Sequence, residues 1–86
     1  TSTLFVEGLP QDATEREVAH IFRPFERYRR TRLIPPRGRA FPLCFVEFED
    51  IGAAQGVISV IQGYQFDENV PGSTLRITFA RDKPRR

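Results

Sequence analysis

This chain has one cysteine and one histidine in 86 residues. A lone thiol has no partner for an internal disulfide, and one thiol with one imidazole falls short of the four ligands of a structural zinc site. The chain also lacks a glycine-rich phosphate loop and any Ser/His/Asp or Cys/His set that one small domain would unite. No enzyme activity, cofactor, metal or small-molecule substrate is therefore expected. No apolar run approaches the roughly 20 residues that cross a bilayer, and the first residues carry no basic-then-apolar export pattern, so no membrane partner is expected. Internal repeats and low-complexity segments are absent, a short basic tail apart. Lysine is nearly missing too. Lys83 is the single exception among 13 cations, and the other cations are arginine, the side chain that both forks onto phosphate and stacks on bases.

What is present fits one domain. At this length roughly 60–65% of the unfolded surface becomes buried, and 40% hydrophobic residues with eight Phe and two Tyr suffice for one core. Both ends abut segments expected to be structured, the pattern of a domain within a longer chain. The net charge of +2 conceals a strong segregation. Arg23, Arg27, Arg29, Arg30, Arg32, Arg37 and Arg39 face only Glu26 within their stretch, and Arg81, Lys83, Arg85 and Arg86 close the chain against Asp82 alone. Acids gather elsewhere, at Asp12–Glu17, Glu47–Asp50 and Asp67–Glu68. Such clustering favours a polyanionic partner over an ordinary solvated surface.

The periodicities read β-α-β-β-α-β. A first strand runs from Thr3 to Gly8. Thr14 and Glu17 form a capping box that opens a helix with Val18, Ile21, Phe22 and Phe25 as its buried stripe, and Pro24 ends it near Phe22–Arg23. A second strand runs from Tyr28 to Ile34, with Thr31 and Leu33 inward and Arg30 and Arg32 outward. The Pro35–Arg39 loop cannot join a ladder. A third strand spans Phe41 to Glu49. Asp50 caps a second helix with Ala54, Val57, Ile58 and Ile61 buried, and Gly63 supplies its left-handed stop. The last strand, Thr74 to Ala80, sends Leu75, Ile77 and Phe79 inward and Arg76 and Thr78 outward. Two helices with four strands bury one sheet face and leave the other open, a ferredoxin-like α+β sandwich with an antiparallel sheet. Cys44 falls on the inward face as a core thiol, which fits a reducing compartment such as nucleus or cytoplasm. His20 lies off the apolar stripe and is expected to be exposed.

Period-two alternation has a sharper consequence. If Leu4 and Val6 point inward, Phe5 and Glu7 point outward; if Cys44, Val46 and Phe48 point inward, Leu43, Phe45 and Glu47 point outward. Each strand thus puts a phenyl ring on the open face. Nucleic-acid bases are the commonest flat apolar partners for such rings.

LFVEGL (4–9) and LCFVEF (43–48) resemble the two signature segments of the RNA recognition motif, over residues 1–81, with 82–86 as a basic tail. The resemblance implies that Phe5 and Phe45 stack on bases. The family's eight-residue segment opens with a basic residue and glycine, where this chain has Phe41 and Pro42, and its third position is usually aromatic, where this chain has Leu43. IFRPF (21–25), Gly8, GYQFDENVPGSTLRITFA (63–80) and the aliphatic Leu43 are similar to the "RNA-binding protein with multiple splicing" subfamily and its plant relatives. That resemblance implies recognition of short single-stranded CAC-type elements, homodimerisation through a surface away from the RNA face, and a role in mRNA processing. Leu43, Glu7, Glu47, Arg76 and Thr78 are then candidates for the RNA face and base edges, and Arg30, Arg32, Arg37, Arg39, Arg81 and Lys83 for phosphates. Glu7 and Glu47 have an alternative as cross-strand partners of Arg76 and Arg30. Two alternatives stand for the ligand: a protein-interaction or dimerisation module on the same fold, and single-stranded DNA.

Overall fold

The computed structural model describes residues 1–38, 40–70 and 72–81; the expectations for Arg39, Lys83 and the tail 82–86 lie outside the described residues. The elements are β1 (Thr3–Glu7), α1 (Glu15–Phe22), β2 (Tyr28–Ile34), β3 (Leu43–Phe48), α2 (Ile51–Ile61) and β4 (Arg76–Phe79). The strands form one antiparallel sheet in the order β2-β3-β1-β4. Among the described residues no helix is long and apolar enough to cross a membrane.

Local chemistry sets each helix start. Thr14 Oγ1 accepts from the Glu17 N–H at 3.2 Å while Glu17 Oε1 accepts from the Thr14 N–H at 2.8 Å, which closes the capping box. Asp50 Oδ1 accepts from the Ala53 N–H at 2.7 Å at the start of α2. A third carboxylate works between elements: Glu15 Oε1 accepts from the Leu33 N–H at 2.8 Å and ties the first turn of α1 to β2.

Val18 and Phe22 of α1 and Ala54 and Val57 of α2 share one core with Leu4, Val6, Cys44, Val46, Phe48, Leu75 and Ile77. Phe25, Leu33, Ile58 and Ile61 pack against its margin. Cys44 is fully buried. Burial, with a smaller contribution from the Glu15 carboxylate, pushes its thiol from 9.0 up to about 12.

Four expectations need correction. The third strand is Leu43–Phe48, shorter than Phe41–Glu49, because the proline-bearing approach to it makes no ladder. The fourth is Arg76–Phe79; Thr74 instead forms an isolated bridge with Gln65. Phe79 faces the helix side opposite Leu4 yet is 41% exposed, since it ends an edge strand beyond Ile77, where the Gln62 side chain bonds. The first strand also stops at Glu7 and not Gly8.

The outer edge of β4 does not stand open. The Gln62 side chain donates from Nε2 to the Ile77 carbonyl and accepts at Oε1 from the Ile77 N–H, both at 2.8 Å. The Gly63 N–H donates to Leu75 O and the Leu75 N–H to Tyr64 O. Covering an edge in this way removes a template for pairing with another chain. Gly63, at φ 83°, provides the left-handed turn that starts this segment.

Candidate nucleic-acid interface

With both helices on one side, the register sorts the open face into transverse rows. The middle row reads Arg32, Phe45, Phe5, Thr78 from β2 to β4. On one side of it lies Arg30, Glu47, Thr3, with Ala80 bonded back to Thr3. On the other side lie Ile34 beside Leu43 and Glu7 beside Arg76. Every expected open-face residue therefore falls on that face, and Phe5 and Phe45 are direct cross-strand neighbours.

Their ring centroids are 5.4 Å apart with planes tilted by 33°. Contact between the rings leaves each partly covered, so they form a shared two-ring platform. A pair of this kind adds about 0.5–1.5 kcal/mol to the fold beyond its buried area, and its remaining faces are the largest flat apolar surface on the sheet's middle row.

Both acids on the face are engaged. Arg30 Nε donates to Glu47 Oε2 at 2.9 Å and Arg76 Nε donates to Glu7 Oε1 at 3.3 Å. Both pairs are largely solvated, which limits each to about 0.2–1 kcal/mol. A ligand can exchange with them at small cost. Arg32, Arg37 and Arg81 make no ion pair among the described residues and are exposed.

Beside the platform, a concavity of about 660 Å³ is lined by Phe5, Glu7, Leu43 and Arg76 from the strands, with Phe41, Val70 and Thr74 among its loop residues. Gly8 is part of its wall at φ 95°, packed so that any Cβ would run into the Thr74 carbonyl oxygen. The sequence reading missed Phe41 and Ile34 as open-face residues. The signal was available: Ile34 continues the parity of Arg30 and Arg32, and Phe41 that of Leu43 and Phe45.

Among the described residues no group of His, Cys, Asp or Glu is arranged to hold a metal ion. What the face can do is stack flat rings on Phe5 and Phe45 and offer guanidinium donors on either side.

This combination of sheet order, open face and paired rings defines a single-domain α+β sandwich with one helix-free, ring-bearing sheet face. The RNA recognition motif profile matches residues 4–71, and the chain belongs to the RNA recognition motif family. Among relatives, it is 49% identical over 92 residues to RNA-binding protein 2 of Medicago truncatula, covering 100% of this chain and 36% of that protein. It is 46% identical to nuclear speckle RNA-binding protein A of Arabidopsis thaliana (94% of this chain, 37% of that protein). Identity to RNA-binding protein with multiple splicing 2 of Xenopus laevis is 39% (92% and 39%), in line with the subfamily resemblance. The chain thus spans a little over a third of these relatives' length. A solved structure, the MEC-8 C-terminal RRM domain bound to AGCACA, is 34% identical with TM-score 0.77, covering 99% of this chain and 96% of that one.

Proposed function

We propose that this domain binds single-stranded RNA across its open sheet face, taking one base on Phe5 and another on Phe45. The carrying observation is the adjacency of those two rings, 5.4 Å apart on the face without helices. Each stacked base contributes about 1–3 kcal/mol. Arg32, Arg37, Arg39, Arg81 and Lys83 neutralise phosphates, while Arg30 and Arg76 trade a carboxylate for a phosphate or a base. Glu7, Glu47, Thr78 and Leu43 meet base edges and sugars, and a short CAC-type element is the preferred sequence. The similarity to a domain solved with AGCACA, which contains that trinucleotide, supports the sequence preference. Relatives named for nuclear speckles support a nuclear place of action, and one named for multiple splicing supports a role in mRNA processing.

Phe45→Ala should lower affinity for a CAC-bearing RNA at least tenfold in fluorescence anisotropy, with the thermal transition retained. Unchanged binding would remove stacking from the mechanism. Selection from random RNA and DNA pools, run in parallel, decides between the two nucleic acids, and an empty result in both favours a protein partner. Homodimerisation stays an implication of the resemblance, and light scattering decides it, a mass near 9.9 kDa excluding it.

A further inference from the structure

Phe41 stands where the family's eight-residue segment has a basic residue, and it is 61% exposed. The ring is not isolated on the surface. Along residues 41–48 burial alternates strictly: Phe41, Leu43, Phe45 and Glu47 are on the open side, and Pro42, Cys44, Val46 and Phe48 are buried. Phe41 therefore continues the line of open-face side chains past the end of β3, and with Leu43, Phe5 and Val70 it lines the concavity beside the platform. Clefts of this size, mostly apolar with a few convergent polar groups, are the usual form of a ligand site. Among its polar groups, Glu7 and Arg76 pair through Oε1 and Nε alone among the described residues, which leaves the second carboxylate oxygen and the guanidinium Nη donors for the edge of a ring.

We propose that Phe41 is a third base-stacking residue, holding in this concavity the nucleotide that neighbours the base on Phe5. The inference rests on the proposed stacking at Phe5 and Phe45, because the occupant is the continuation of the same strand. Leu43 cannot present a ring at the position where the family usually has one. Phe41, two residues earlier on the same side, restores an aromatic there but displaces it by one pleat repeat towards the loops. The strand is thereby guided off the sheet between Phe41 and Pro42 on one side and Val70 and Thr74 on the other. An exposed phenyl ring against a base gives sequence-tolerant affinity, and Glu7 with Arg76 then supplies an acceptor and a donor for the base edge.

The test uses the hexamer AGCACA with 2-aminopurine placed in turn at each purine position, together with anisotropy on the unmodified strand. At one position flanking the central bases, quenching on binding is expected to be lost in Phe41→Ala and retained in Phe41→Trp. The hexamer should bind Phe41→Ala about tenfold more weakly, consistent with the loss of one stacked base. Phe41 is exposed, so both variants should keep the parent melting transition. If Phe45→Ala restores fluorescence at a central position but Phe41→Ala alters none, the third position is refuted and the two-ring platform stands. If neither variant alters any position or the affinity, both fail together.

Discussion

At the scale of single residues, the outward parity of Phe5 and Phe45 follows from alternation alone, whereas their mutual contact follows from register, which pairs them across β1 and β3. The same parity argument places Glu7 and Glu47 outward but is silent on their partners; the structure pairs both with arginine. Cys44 gives a pH prediction. Burial pushes its thiol up to about 12 in the fold, from the ordinary 9.0 that the unfolded chain keeps. Between those values the unfolded chain has released a proton that the folded chain keeps, so stability falls as pH rises. The slope approaches about 1.4 kcal/mol per pH unit inside that window. The effect is absent below it, where both states are protonated. Urea midpoints at pH 8 and 10.5 should therefore diverge more for the parent than for Cys44→Ala, which lacks the thiol but shares Tyr28 and Tyr64. Equal divergence would mean that the thiol titrates normally.

At the scale of elements, Gln62 is the residue with the clearest structural duty. Gln62→Leu keeps the aliphatic stem and removes both bonds to Ile77, leaving an N–H and a carbonyl of the edge strand to water or to nothing. A loss of about 1–3 kcal/mol is expected, read as a lower urea midpoint with unchanged m-value. A change within 0.3 kcal/mol, small beside the usual effect of such a loss, would show that water replaces the amide in full. This clasp was invisible in the sequence, since nothing in Ile61-Gln62-Gly63 marks a side chain that bonds fifteen residues onward. The two helices were legible because their starts are chemical: Thr14 with Glu17, and Asp50. Strand ends were less so. Period-two alternation continues through Phe41 and through Thr74, but only backbone pairing decides where a ladder stops, and Pro42 and the Gln65–Thr74 bridge stop it short. Phe79 follows from the same limit, because alternation assigns a side chain to a face without saying whether anything lies over that end of the sheet.

For the whole molecule, the arginine surplus translates into a salt dependence that separates partners already held by the protein from those open to RNA. Each neutralised phosphate on a single strand contributes about −0.7 to the slope of log K against log salt. Arg32, Arg37 and Arg81 have no carboxylate partner among the described residues; with the four phosphate contacts proposed for these three and Arg39, a slope of about −3 is expected. Arg30 and Arg76, paired with Glu47 and Glu7, add to that slope only where they leave the carboxylate for a phosphate, since the counterions released are those condensed on the RNA; on a base edge they add nothing. A chain ending at Arg81 is expected to show that slope in anisotropy titrations between 50 and 300 mM salt. The full chain should bind every sequence more tightly by one common factor, with a slope steeper by about 0.7 for each contact the tail makes. A slope near −4 in the shortened chain would mean that Arg30 and Arg76 abandon their carboxylates. Loss of sequence discrimination on shortening would move the tail from phosphates to bases, and an unchanged slope would take it out of the interface altogether.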